Sequence, residues 1–268
     1  MRHTGLIAVA VVLLAACGGD TTGLVQTIAD LAGAWDVSVW EYSLASDTTQ
    51  KNDWVATQGL NGTLYIEPNG EFAMLVEFPW DFGRDYGTLS VQGDAIYWDG
   101  RGDEELVPFE VAGSTLNLHW PEEELVDVDR DGEPEDAWLR MVFESIEEPT
   151  RLDVSGDYAA TEFDMCGGIG GGCTDVQAAG GSIELTLHVD ATTAGRLFVP
   201  DLTGGGGPGF EADLAGTWIF YGTRLELDHP VDTFLREMVF AVEGDQLSAE
   251  WWDGMMDGYT IYVVLTKQ

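Results

Sequence analysis

The residues with the most chemical content lie in the run Asp127-Val128-Asp129-Arg130-Asp131-Gly132-Glu133-Pro134-Glu135-Asp136. Carboxylates at alternate positions followed by glycine form the first half of a calcium loop. Alternate side chains converge on one ion, and the glycine permits the tight turn. The bidentate glutamate expected at the twelfth position is absent, because Trp138 stands there. Asp136 or Glu135 would then complete the shell. The candidate metal ligands are Asp127, Asp129, Asp131, Glu133 and Asp136, with Ca2+ as the implied ion, and loops of this kind bind at about 0.1–1 mM. The alternative is a solvated acidic loop whose charges stay apart, since clustered carboxylates without an ion repel one another. A position between two strands points to structural stapling rather than catalysis.

The other chemical candidates are fewer. Cys166 and Cys173 flank a glycine-rich stretch, which suits a small-loop disulfide in an oxidising compartment. Neither a C-x-x-C spacing nor a neighbouring Cys/His pair supports a redox or metal role. His119 and His188 fall on the polar-facing parity of predicted strands, so a shared zinc site would require the two halves of the chain to meet there. No Gly-x-Ser-x-Gly, His-Glu-x-x-His or phosphate-binding Gly-Lys-Ser/Thr motif occurs, and Gly167 to Gly172 and Gly204 to Gly207 read as loops. With 48 acidic residues, carboxylate pairs arise by chance, so no acid/base pair is assigned. Catalytic residues are none, and enzymatic activity is not expected.

The whole chain of 268 residues carries a net charge of -37. Its only lysines are Lys51 and Lys267. Such a field repels phosphate backbones and argues against a nucleic-acid partner. A hydrophobic content of 45% supports a folded core, so the acidity is a surface property. Asp103-Glu104-Glu105 and Glu122-Glu123-Glu124 lack the alternation and the glycine of the metal motif, and read as solvated surface.

The N-terminus begins with Arg2, continues through an apolar run from Gly5 to Ala16, and reaches Leu14-Ala15-Ala16-Cys17. The run has the form of a secretory signal and is short for a membrane span, which needs roughly 20 apolar residues. The closing tetrapeptide resembles the lipobox of bacterial lipoproteins. That resemblance implies lipidation of Cys17, a signal peptide over 1–16 and a lipidated tether over 17–30. Two or more acyl chains give stable anchoring. Gly18, in place of aspartate, implies the outer membrane. The expected location is the bacterial cell envelope. With Cys17 carrying lipid, the two remaining cysteines are even in number.

The elements that must position these residues are almost all strands. Gly62–Glu67, Pro68-Asn69-Gly70 and Glu71–Phe78 read as strand, turn and strand, Asn-Gly being a strong hairpin signal. Further strands are predicted at 87–91, 95–98, 106–111, 115–120 and 137–143, with Leu139, Met141 and Phe143 facing one way. In the second half the predicted strands are 182–189, 195–199, 210–214, 217–221, 224–227, 234–242, 247–252 and 259–265. Ile183, Leu185, Leu187 and Val189 are expected to face inward.

Two similarities indicate an internal duplication. Leu31-Ala32-Gly33-Ala34-Trp35 resembles Val154-Ser155-Gly156-Asp157-Tyr158, and the segment 111–120 resembles 242–251 around Gly113 and Gly244. Two units of roughly 115–125 residues follow, meeting near Glu147-Glu148-Pro149-Thr150. A unit of about eight short antiparallel strands hides its edges by closing into a barrel, a sandwich being the other solution. The Gly-x-aromatic opening resembles that of lipocalin-like barrels, with Tyr158 replacing tryptophan in the second unit. The resemblance implies an all-β chain with two antiparallel up-and-down (lipocalin-like) β-barrels in tandem, over 31–148 and 149–268. It also implies that Trp35 packs across a closed barrel end. Trp80, Trp98, Trp120, Trp251 and Trp252 either line a pocket for an apolar ligand or fill the core.

The function these readings suggest is a non-enzymatic, lipid-anchored envelope protein that binds a small apolar molecule or a partner protein. A structural or accessory lipoprotein without a pocket is the alternative, and a carboxylate-based envelope hydrolase is a third reading.

Overall fold

The computed structural model describes residues 27–268, except Trp80, Asp103, Glu148, 168–171, 203–205 and 254–257. The leader, Cys17 and Trp80 therefore lie outside the described residues. The first sheet contains β1 (Gly33–Leu44), β2 (Lys51–Asp53), β3 (Asn61–Ile66), β4 (Glu71–Phe78), β5 (Asp81–Gln92), β6 (Ala95–Asp99), β7 (Glu104–Ala112), β8 (Thr115–Val126) and β9 (Glu135–Ile146). The second contains β10 (Gly156–Gly167), β11 (Gly172–Asp175), β12 (Ser182–Leu187), β13 (Thr192–Val199), β14 (Phe210–Asp213), β15 (Gly216–Phe220), β16 (Arg224–Asp228), β17 (Val239–Glu243), β18 (Gln246–Asp253) and β19 (Tyr259–Lys267). Neighbours in each sheet are antiparallel. Pairing of β1 with β9 and of β10 with β19 closes two 8-stranded barrels, and β2, β11 and β14 are side strands. Closure removes the long free edges that an open sheet of this length would expose.

The two barrels open in the same way. Thr27 and Thr150 each begin a short helical turn with a capping box, closed by Asp30 and Asp153 respectively. Next come Gly33 at φ +133° and Gly156 at φ +154°, a backbone region that L side chains rarely adopt. The following aromatic bonds back over one turn: Trp35 Nε1 donates to Leu31 O at 2.9 Å, and Tyr158 Oη donates to Val154 O at 2.6 Å. Each first strand carries a bulge, between Val37 and Val39 in β1 and between Ala160 and Glu162 in β10. Trp35 thus plugs one barrel end, as its motif predicts.

Several expected boundaries shift. β8 continues through Glu122-Glu123-Glu124 to Val126, so this run is part of a strand. Glu124 keeps the inward parity of Leu116 and Leu118, and a register shift between His119 and Glu123 sets it opposite Ala137. The predicted strand 234–242 is a 3-10 turn, Phe234–Arg236, followed by β17. β12 ends at Leu187, and Val189 stands in the next turn with 52% of its surface exposed, not in the core.

Both interiors are filled along most of their length. A cavity admitting even one water molecule would leave accessible surface on its lining. Leu64, Ile96, Val107, Leu116 and Leu118 have none, and Trp98, Met141 and Phe143 retain 1%. In the second barrel Phe163, Leu197, Leu225, Phe240, Leu247 and Leu265 also have none. Such packing matches a protein interior rather than a hollow calyx.

The barrels meet side by side. Outward residues Ala73 and Leu75 of β4 pack against Ile219, Tyr221 and Val239 of the second barrel. Tyr65 meets Phe220 edge-on at 4.8 Å. Arg151 ties the junction down, reaching Glu67 and Glu71, both at 3.1 Å. Arg84 of β5 pairs with the nearly buried Glu226 of β16. Burial raises the Glu226 pKa above 4.5, and the attraction of Arg84 only partly offsets this. An acid whose folded pKa is raised contributes its stability below 4.5 and loses it as pH rises through the folded value. In thermal unfolding, wild type should therefore lose ground relative to Glu226→Gln as pH rises from 4 to 7. A pH-independent difference between the two would show that Glu226 titrates as an ordinary surface carboxyl.

Candidate metal centre at the mouth of the first barrel

The acidic loop joins β8 to β9 at the end of the first barrel opposite Trp35. Val128 anchors it, 4% exposed and packed into the barrel core. Arg130 and Gly132 take left-handed backbone, at φ +65° and +97°. These two reversals fold the chain back on itself. Gly132 N–H donates to Asp127 Oδ2 at 3.1 Å, Asp131 N–H to Asp129 Oδ1 at 3.1 Å, and Glu133 N–H to Asp131 Oδ1 at 2.9 Å. Val128 N–H donates to Glu135 Oε2 at 3.0 Å, which draws Glu135 across the loop.

The result is a group of four carboxylates, Asp127, Asp129, Asp131 and Glu135, each with an oxygen within 4.8 Å of the others. Glu133 and Asp136 lie outside this group; of the two residues weighed to complete the shell, Glu135 is the one drawn in. Its position as the first paired residue of β9, opposite Val126, explains why. The donor set fits a hard divalent cation, which takes six to eight oxygens. One atom also asks for a partner: Asp127 Oδ1 is buried and accepts no hydrogen bond. Asp129 and Asp131 are exposed, so water could fill the remaining positions. A bound cation would neutralise the group and tie the end of β8 to the start of β9.

The loop rests on a second segment that the sequence did not reveal as an element. Between β2 and β3 runs a short helix, α1 (Trp54–Gln58), capped by the Asp53 carboxylate, which accepts from Val55 N–H at 3.0 Å. The same Asp53 oxygen accepts from Trp40 N–H at 3.2 Å. Asn52 accepts from Thr57 Oγ1 at 2.8 Å and from Arg130 Nη2 at 3.5 Å, linking helix, barrel and acidic loop. A surface groove of about 530 Å³ lies between them, lined by Trp54, Gln58, Leu125, Val126, Asp127 and Arg130.

This end of the barrel is its aromatic end. Trp40, Trp54, Met74 and Trp120 are partly buried here, unlike the sealed layers below. Tyr42 stacks obliquely on Trp54 at 4.8 Å, and Trp120 meets Trp98 edge-on at 5.7 Å. Two carboxylates face inward among them. Asp85 accepts from Trp98 Nε1 at 2.7 Å and from Arg101 N–H at 2.8 Å. Glu124 accepts from Tyr42 Oη at 3.1 Å. Burial, with the neighbouring Glu124 charge adding to it, pushes the Tyr42 hydroxyl well above its ordinary pKa.

The remaining candidates are dispersed. Cys166 and Cys173 face each other across β10 and β11 and form a disulfide. His119 and His188 are exposed on different barrels, whereas His229 is buried, with Nε2 3.2 Å from Thr233 Oγ1. Trp251 packs partly against the second core, and Trp252 is 67% exposed on the outside of β18.

No protein-family model matches the chain, and no curated protein matches it. Among solved structures it is similar to a protein of unknown function from the DUF3598 family of Nostoc punctiforme PCC 73102, at 11% identity. That likeness covers 88% of this chain and 96% of the other, with a TM-score of 0.27.

Proposed function

We propose that the protein is a lipid-anchored, non-enzymatic binding protein of the bacterial cell envelope, placed at the outer membrane by its Gly18, with lipocalin-like barrels. Its binding face is the aromatic mouth of the first barrel, and Ca2+ bound by Asp127, Asp129, Asp131 and Glu135 braces that mouth. The observation that carries the reading is the change in packing along the first barrel. Around Trp98 the interior is sealed, whereas at the mouth the large side chains of Trp40, Trp54, Met74 and Trp120 retain accessible surface and leave room for a ligand. The inward carboxylates there are engaged in holding Trp98 and Tyr42, which favours a positioning role over acid/base chemistry. A shallow aromatic rim suits an apolar small molecule, or an apolar side chain of a partner protein. The anchor rests on the lipobox-like Leu14-Ala15-Ala16-Cys17.

Titration with the apolar dye N-phenyl-1-naphthylamine tests the binding face. Saturable enhancement of dye emission is expected, weakened about tenfold or more by Trp120→Ala and unchanged by Trp252→Ala. Equal binding by wild type and Trp120→Ala would remove the mouth as the site. Without any saturable binding, the accessory-lipoprotein reading takes its place.

A further inference from the structure

We propose that the end of the molecule where Thr27 enters the first barrel lies against the membrane, with Leu152 and Val189 as its contacts with the lipid interface. The inference rests on lipidation of Cys17. Thr27 follows Cys17 by ten positions. At 3.3–3.6 Å per residue, even a fully extended chain spans only on the order of 35 Å. Whatever surrounds Thr27 is thus held close to the headgroups.

Five residues further along the chain, at Ala32, begins the lining of a groove of about 490 Å³ built from both barrels. Ala32 and Gly33 line it beside the N-terminal turn, Pro68 and Asn69 come from the β3–β4 turn, and Leu152 and Val189 from the second barrel. Leu152 is 67% exposed and Val189 52%. Neither position requires an apolar side chain for folding. Leu152 sits in the four-residue helical turn Arg151–Val154, which Thr150 and Asp153 cap without it. Val189 lies at the tip of a turn closed by Ala191 N–H donating to His188 O at 3.0 Å, a place that ordinarily holds a polar residue. Two unsupported apolar tips beside a short tether fit a shared apolar surface.

The charges nearby define the kind of membrane. Arg151 is occupied by Glu67 and Glu71, Lys267 donates to Asp153 O at 2.7 Å, and Asp153 and Asp190 are exposed. The face is not cationic, and the chain carries a charge of -37, so a zwitterionic headgroup layer is its partner and an anionic one would repel it. Two side chains suffice because the tether supplies a high local concentration.

The test is amide hydrogen exchange on the full lipidated protein in vesicles of phosphatidylethanolamine and phosphatidylcholine. The reference is the unlipidated chain starting after Cys17, mixed with the same vesicles. Exchange over 150–154 and 188–192 should slow on the order of fivefold in the lipidated form only. Leu152→Asp with Val189→Asp should restore the faster exchange while the protein stays on the vesicles. Unchanged exchange in a vesicle-bound, lipidated protein overturns the membrane-facing surface and leaves the anchor standing. An intact mass without acyl groups on Cys17 overturns the anchor, and the surface proposal with it.

Discussion

Trp98→Ala lowers the unfolding free energy of the first barrel by about 3–5 kcal/mol, the range for deleting a large aromatic from a packed core. Trp98 is 1% exposed, lies 4.4 Å from the Phe72 ring centroid and supports Trp120. Its Nε1 also supplies one of the two hydrogen bonds that hold the inward Asp85 carboxylate. Truncation therefore leaves both a void and an under-satisfied charge. Trp98→Phe keeps most of the apolar volume and loses the N–H, so it should cost less, about 1–3 kcal/mol. Single domains are stable by only about 5–15 kcal/mol, so the alanine variant should bring the first barrel close to unfolding at ambient temperature. Urea unfolding followed by far-UV circular dichroism is the measurement. A second transition separating from the first would report the second barrel persisting alone. A loss below about 1 kcal/mol would instead mean that the site is not close-packed, and would restore the hollow-barrel reading.

How much of this could be read from the sequence depends on how local each signal is. Period-two alternation marked Ile183, Leu185 and Leu187 and also Leu139, Met141 and Phe143, because inward and outward positions of a half-buried strand differ in polarity. The Gly-x-aromatic openings marked both barrel starts, since the left-handed glycine and the back-bonded ring depend on neighbouring residues. Val189 continued the alternation past the end of β12, because a period cannot show where the backbone turns. Glu122-Glu123-Glu124 read as solvated surface with no strand assigned, because a charged run hides the strand beneath it. Glu124 keeps the inward parity of Leu116, Leu118 and Trp120, but a glutamate gives no hydrophobic signal by which that parity could be followed. Helix α1 has a single signal, Asp53 as cap, and five residues are too few for helical periodicity. The mouth itself was illegible for a further reason. It assembles Tyr42, Asp85, Trp98 and Glu124 from distant strands and Trp54 from α1, which barrel closure brings together.

The duplicated frame also shows where the first barrel has been elaborated. Capping box, left-handed glycine, back-bonded ring and bulge recur in both units, so they belong to the closure of each barrel. The acidic loop, α1 and the partly open aromatic layer belong to the first barrel among the described residues, and they share one end of it. Asn52 joins two of them directly by accepting from both Thr57 and Arg130. A change in the acidic loop is therefore expected to reach Trp54 through Asn52, and calcium should alter tryptophan emission as well as stability.

Calcium should raise the melting temperature of the soluble chain saturably, and Asp129→Asn with Asp131→Asn should abolish the effect. An ion at a hundredfold excess over its dissociation constant adds about 2.7 kcal/mol if it binds only the folded state. Near a dissociation constant of about 0.1 mM, that excess is reached at roughly 10 mM. A chain of charge -37 also gains from any divalent cation by screening, so magnesium at equal ionic strength is the control. Magnesium demands a near-ideal octahedral shell and keeps several waters, whereas calcium accepts a flexible shell rich in carboxylates, so calcium should stabilise more than magnesium. The sign of the mutational effect separates the two readings of the loop most sharply. Without a divalent cation, four carboxylates held together repel, so the double variant should be slightly more stable than wild type. With calcium the order should invert, because wild type gains the binding energy and the variant does not. A loop that is only solvated surface gives no inversion: wild type and variant then shift together, by the amount that screening alone supplies. Trp138, 37% exposed on β9 just beyond Glu135, provides an optical signal for the same titration. Inversion accompanied by saturation of that signal at one calcium per chain would assign the ion to the hairpin that closes the mouth of the first barrel.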